Sequence, residues 1–315
     1  MVVSGFGMNK MKPNLISQRL QKADACEALV TLETHYMTNE ASNFIAEGSI
    51  ATLAPTVARL FAAAIPTLAI EPPIESVLEV HNRVGCGEPI ERCLIFCPDA
   101  LGLHIWRSCM SHVDTIAEHA DMRIPLLSVM PPKTPVCFAS MFTGGRPADH
   151  GILKYERPVL RCETLFDVLL RANKNIAIVA VNNSSIDLIF RERNIEYYSE
   201  QYDEDVLVRA LDLIKENRHH LILVYQQEYD DLLHRNDPFS ELCNQAVTRH
   251  VQSFITIAKT ALSEWRGHNN ALIFAPDHGA HIDSASGHGD HGMDIPEDMQ
   301  LFHWYGINSA RMKDG

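Results

Sequence analysis

From Glu91 onward, short apolar runs alternate with helix-length segments, and this rhythm constrains the fold more than any other feature of the chain. The runs are Cys93 to Cys97, Pro125 to Val129, Ile176 to Val181, Leu221 to Tyr225, Ala271 to Ala275 and Leu301 to Tyr305. Strands that read as continuous apolar stretches, rather than as alternating apolar and polar residues, are buried on both faces. That is the condition of a parallel sheet covered by helices. Helical periodicity is clearest in Val206 to Glu216 and Leu242 to Trp265, each long enough to cover one face of such a sheet. The expected fold class is therefore α/β, with a mostly parallel central sheet and helices on both faces, and no large cap domain is expected because Gly151 to Tyr229 is mostly needed for a strand-helix-strand core. No internal repeat or low-complexity linker interrupts this stretch, so residues 41–315 read as a single domain. Residues 1–40 are polar and mixed, with helix-like spacing at Ile16, Leu20 and Ala23, and read as a partly helical N-terminal extension.

The formal charge of -13 argues against a nucleic-acid polymer or an anionic membrane as partner, because no long basic stretch balances it. Divalent cations held by acids would offset part of that charge and make a site locally positive, which suits a small anionic substrate. The 8 cysteines show no paired spacing and no positively charged leader with an apolar stretch opens the chain, so a cytoplasmic location is expected. Cys93 and Cys97 share one face of an expected strand and read as small buried hydrophobes. Ala51 to Ile70 is long and mostly apolar, but Pro55, Arg59 and Pro66 make it helix and turn rather than a membrane span. Trp106, Trp265 and Trp304 read as core residues, and the oligomeric state is left open.

Three of the apolar runs are followed by acids and imidazoles: Asp99 after the first, Asp230 and His234 after the fourth, Asp277 and His278 after the fifth. Ligands in α/β sheets bind outside the carboxyl ends of strands, so these side chains read as metal donors. Asp230 and His234 are four apart, which puts them on one side of a helical turn; an exposed helical pair is the plainer reading. Gly279 is expected to let the backbone turn so that Asp277 and His278 approach one cleft, against the plainer reading of a surface turn. His288 or His291 could complete a ligand set, while His281 reads as an outer partner or as solvated. Thr134, before Pro135, reads as a helix N-cap. Its sharper reading is a nucleophile, with the N–H groups of Val136 and Cys137 free to meet an anion.

The order of Asp99, Thr134 in PPKTPVCFASMFTGGRPADHGI, Asp230 and His234 in EYDDLLHRNDP, Asp277 and His278 in APDHG, and then GDHGMDIPEDM resembles the alkaline phosphatase superfamily, in particular its nucleotide pyrophosphatase/phosphodiesterase-like branch. The resemblance covers about Cys93 to Ile307. It implies an alkaline phosphatase-like catalytic domain that holds two divalent metal ions, with zinc first and manganese second. One ion falls to Asp230, His234 and His291, the last chosen over His288 because it is glycine-flanked and precedes an acidic stretch and a strand. The other falls to Asp99, Asp277 and His278, with Thr134 bridging toward phosphorus. The implied activity is hydrolysis of phosphodiesters or nucleotide-like phosphate esters through a covalent threonine intermediate. Relatives place an asparagine after the His-Gly-Ile that is here His150-Gly151-Ile152, whereas this chain continues Leu153-Lys154-Tyr155, so Lys154 and Tyr155 are expected to contact substrate. The alternatives are a phosphomonoesterase or phosphomutase on the same scaffold and, third, a non-catalytic binding module. Leu103 to Ser111 and Gly145 to Arg157 are expected to shape specificity.

Overall fold

The computed structural model describes residues 44–106 and 109–310. The extension expected over residues 1–40 lies outside them. The described residues from Ile45 onward form one compact unit. Its main sheet contains β1 (Arg92–Pro98), β2 (Met122–Leu127), β3 (Ile176–Val181), β4 (Glu196–Glu200), β5 (Leu221–Gln226), β6 (Asn270–Phe274) and β9 (Gln300–Asn308). A separate hairpin pairs β7 (His281–Ile282) with β8 (Gly289–Asp290). The order across the main sheet is β2-β9-β6-β1-β5-β3-β4, and only β9 runs against the rest. The fold is thus mixed α/β with a mostly parallel sheet, as its apolar rhythm requires.

Alternate residues of each strand serve opposite faces. Cys93, Ile95 and Cys97 of β1 join Leu221, Leu223 and Tyr225 of β5 in one core, packed against helices Leu53–Leu60, Thr134–Thr143, Leu165–Arg171 and Ser185–Ile189. On the other face Phe96 and Phe274 stack at 5.7 Å between ring centroids and meet Phe254 of helix Glu241–Glu264. Trp106, Trp265 and Trp304 are all buried, as is the Cys93 and Cys97 pair. Pro55 sits in the first turn of helix Leu53–Leu60, where its missing N–H costs nothing. Among the described residues no helix is long and apolar enough to cross a membrane.

Two edges depart from expectation. The strand expected at Pro125 to Val129 instead begins at Met122 and ends at Leu127, paired antiparallel with β9. Its other side meets only the short segment Glu47 to Ser49, so its residues are only partly buried, and the Arg123 guanidinium lies over the Phe302 ring at 4.7 Å. β4 went unread for the same reason: Glu196–Glu200 is an edge strand of partly exposed residues, pinned by ion pairs from Arg218 to Glu196.

Candidate metal centre and nucleophile

Because β6, β1 and β5 are adjacent and parallel, their carboxyl ends lie side by side, with Phe96 opposite both Phe274 and Val224. Asp99 follows β1 directly and its N–H donates to the Gln226 carbonyl at 3.0 Å. Asp277 and His278 follow β6, and Asp230 lies in helix Glu228–Leu233 immediately after β5. β9 runs the other way, so the loop that precedes it, carrying His291, returns to this same edge. In this way the topology turns six residues scattered over the sequence into one cluster.

The side chains form two trios, Asp230 with His234 and His291, and Asp99 with Asp277 and His278; within each, one donor atom per residue lies within 4.8 Å of the others. The trios adjoin, since the His278 and His291 rings stack at 4.0 Å. His278 donates from Nδ1 to the Gly279 carbonyl at 3.0 Å, and His291 from Nδ1 to the Pro132 carbonyl at 2.8 Å. A carbonyl can only accept, so the proton sits on Nδ1 and Nε2 is turned inward. Burial keeps His278 well below the usual imidazole range and therefore neutral, so its Nε2 is a bare lone pair.

That lone pair lies 3.4 Å from Asp99 Oδ1 and 3.3 Å from Asp277 Oδ2, and among the described residues neither oxygen has a hydrogen-bond partner. In the other trio Asp230 Oδ1, also buried and unpartnered, lies 3.3 Å from His291 Nε2 and 3.5 Å from His234 Nε2. In the Asp99 trio, where the His278 lone pair meets two carboxylate oxygens, acceptors facing one another at such range repel unless a cation lies between them. Their spacing also matches the edge of a tetrahedron with metal–ligand bonds of about 2.0–2.1 Å, which is about 3.4 Å. The residues therefore fit divalent metal ions. Electrostatics agrees: burial pushes the Asp99 carboxyl well up, and Asp277 and Asp230 add to it; burial does the same to Asp277, with Asp230 adding. Burial also opposes charge on Asp230, but the nearby His234 and His291 imidazoles outweigh it and hold that carboxyl below its usual range. Acids in such a setting need positive charge among them to stay ionised together.

Thr134 is buried beside the second trio, its Oγ1 3.4 Å from both Asp99 Oδ2 and His278 Nε2. The N-cap of helix Thr134–Thr143 is Lys133, and Thr134 is the first helical residue with Pro135 second. Its hydroxyl is thus not spent on capping. The N–H groups of Val136 and Cys137, expected to be free, both donate to the Lys133 carbonyl, at 2.9 and 3.0 Å, so they do not face an anion. Gly279 also plays another part than expected. It is not in the left-handed region; a Cβ there would lie 2.0 Å from the Glu297 carbonyl oxygen, so glycine is required by close approach of two backbones.

His281 is neither a donor in a trio nor solvated: it bonds the buried Asp298 at 2.7 Å. Asp298 also accepts from the N–H groups of Gly292 and Met293, at 2.8 and 2.9 Å, and so holds the loop bearing His291. His288 is exposed and belongs to neither trio. Lys154 is exposed and pairs with Glu156 at 3.8 Å. Tyr155 is exposed, bonds Ser185 and carries the Arg157 guanidinium over its ring at 5.9 Å; burial pushes its phenol up, Arg157 opposes that shift and the charges of Asp99 and Asp230 add to it. The segment Leu103 to Trp106 is a helical turn with Leu103, Ile105 and Trp106 buried, so it is core rather than a specificity loop. Two residues escaped the sequence reading. Lys133 bonds the His291 carbonyl and lies 3.4 Å from Asp290, and Tyr225 bonds Asp99. Lys133 adjoins Thr134 in sequence and Tyr225 ends an apolar run, which were the only signals available.

No family model and no curated protein matches the chain. Solved structures do. Murine ectonucleotide pyrophosphatase/phosphodiesterase 5, in an inactive threonine-to-alanine variant in complex with AMP, is similar at a TM-score of 0.52 and 16% identity, over 62% of this chain and 58% of that one. The C-terminal periplasmic domain of the phosphoethanolamine transferase EptC from Campylobacter jejuni is similar at 0.51 and 14%, over 70% and 80%. Phosphonoacetate hydrolase from Sinorhizobium meliloti 1021 is similar at 0.49 and 16%, over 61% and 57%. The chain thus spans less than two thirds of the first and third. The fold is alkaline phosphatase-like.

Proposed function

We propose that this protein is a divalent-metal-dependent hydrolase of phosphate esters, acting on phosphodiesters or nucleotide-like substrates with Thr134 as nucleophile. The observation that carries the reading is the pair of donor trios whose buried carboxylate oxygens lack any partner, with the Thr134 hydroxyl beside one of them. Asp230, His234 and His291 would hold one ion and Asp99, Asp277 and His278 the other, zinc first and manganese second, since carboxylate and imidazole donors suit both. Bound there, the ions would lower the pKa of a hydroxyl and stabilise charge on phosphoryl oxygens.

The chain's own residues supply the rest. Thr134 directs its proton toward Asp99 Oδ2, which leaves the lone pairs of Oγ1 free for attack on phosphorus. Attack forms the Oγ1–P bond and breaks the bond from phosphorus to the ester oxygen, the Thr134 proton passing to Asp99 Oδ2 and the leaving oxygen taking a proton from water; a second water then cleaves the Oγ1–P bond and restores the hydroxyl. Fixed at the start of a buried helix, Oγ1 has little motion to lose on reaching the transition state. Tyr155, exposed with Arg157 over its ring, would contact the ester, whereas Lys154, paired in solvent, would serve only at the rim. The fold shared with a phosphodiesterase solved as a threonine variant with AMP supports the diester preference. The thiols of Cys86, Cys93, Cys97, Cys137, Cys162 and Cys243, none of them in a disulfide, suit a reducing, cytoplasmic setting.

The test is the rate on bis-p-nitrophenyl phosphate against p-nitrophenyl phosphate, with zinc or manganese supplied, for the wild type and Thr134→Ala. The expected result is a faster diester rate that falls at least about 10³-fold in the variant. A faster monoester rate would replace the diester reading with a phosphomonoesterase. Rates on both esters that survive in Thr134→Ala would overturn the nucleophile.

A further inference from the structure

Each acid of the Asp99–Asp277–His278 trio uses its two oxygens differently. Asp277 Oδ1 accepts from the Ala100 N–H at 3.3 Å while Oδ2 has no partner. Asp99 Oδ2 accepts from the Tyr225 phenol and from Thr134, while Oδ1 has no partner and faces His278. A carboxylate on a short side chain can rotate about its last bond, and whichever oxygen the protein saturates determines which one is left to offer.

The Tyr225 phenol is the strong donor in that choice. Tyr225 lies opposite Cys97 in the β1–β5 pairing. Asp99 is two residues beyond Cys97, and therefore on the same side of the chain, so a phenol leaning forward along β5 reaches it. The Tyr225 ring is buried and packs edge-on against Phe138 of helix Thr134–Thr143, with centroids 5.3 Å apart at 89°. One side chain thus touches both the helix that carries Thr134 and the acid beside it. We infer that Tyr225 is a positioning residue that saturates Asp99 Oδ2 and thereby presents Oδ1 to the cation held with Asp277 and His278. The inference rests on the metal reading proposed above.

The experiment strips the full-length protein with a chelator and titrates it with cobalt(II), following the visible d–d absorption and the number of ions bound per chain. Wild type should take up two. Tyr225→Phe should keep one ion at wild-type affinity and bind the other about 10- to 100-fold more weakly, as for other outer partners of metal ligands. Phe138→Leu, which loosens the ring packing but keeps the phenol, should leave both affinities within about two-fold of wild type, far short of that loss. The retained ion in Tyr225→Phe reports a folded protein. Equal losses in Tyr225→Phe and Phe138→Leu, or loss of both ions in Tyr225→Phe, would make Tyr225 a packing residue and overturn the inference. Two wild-type affinities in Tyr225→Phe would overturn it while leaving the metal reading intact. A wild type that takes up no cobalt would instead overturn the metal reading itself, and the role of Tyr225 with it.

Discussion

His250 joins the folding stability of this protein to pH through a bond that only neutral imidazole can make. Its Nε2 accepts from the Tyr229 N–H at 3.2 Å and its Nδ1–H donates to Gln226 Oε1 at 3.1 Å, so the ring ties the end of β5 to the helix that carries Asp230. Burial, with the charge of Arg249 adding, lowers its pKa to about 3. In the unfolded chain the value is about 6.5. The folded value is the lower one, so the contribution is fully present above 6.5 and is lost as pH falls toward 3, because only the unfolded chain then takes up the proton. At about 1.4 kcal/mol per pH unit, the loss between pH 7 and 5 is about 2 kcal/mol. Any folded value below about 4 gives the same figure at pH 5. Asp203, whose Oδ2 lies 3.8 Å from Nδ1, works the other way: burial raises it to about 6, so the native state gains stability as pH falls through that value. Comparing wild type with His250→Asn cancels Asp203, which both proteins contain. The variant should be about 1–3 kcal/mol less stable at pH 7, from the disturbed hydrogen bonds. Urea unfolding of the metal-free proteins should show that gap shrink by about 2 kcal/mol at pH 5. A gap that stays constant from pH 7 to 5 would refute the linkage argument.

Gly279→Ala should lower stability by at least about 1–3 kcal/mol in thermal or urea unfolding, because its Cβ would meet the Glu297 carbonyl at 2.0 Å. Gly267→Ala, where a Cβ meets nothing within 4 Å, should be near neutral; equal effects would discount the close approach. His291→Ala should reduce bound divalent metal from two ions per chain toward one, whereas the exposed His288→Ala should leave it unchanged. The opposite pattern, measured by elemental analysis after dialysis, would reverse the assignment between these two histidines.

What could be read from the sequence divides along a physical line. β1, β3, β5 and β6 are buried along nearly their whole length, and their runs of apolar residues announce them with boundaries off by a residue or so. β2 and β4 are edges whose residues answer partly to solvent, and there the pattern misleads. The acids and imidazoles were legible because each follows a strand, and parallel neighbours convert that local position into a shared point in space. Their partners were not. Periodicity says which residues of one element point the same way, but the carbonyls of Pro132 and Gly279 that orient His291 and His278 belong to backbone, which carries no sequence signal. Gly279 shows the same limit from the other side: a glycine beside a donor is visible in the sequence, whereas the reason for it, another segment's carbonyl pressed against its α-carbon, exists only once the chain has folded. Tyr225 lies between these cases, since its place on β5 follows from the apolar run, yet its tie to Asp99 depends on the β1–β5 register that fixes which residue it faces.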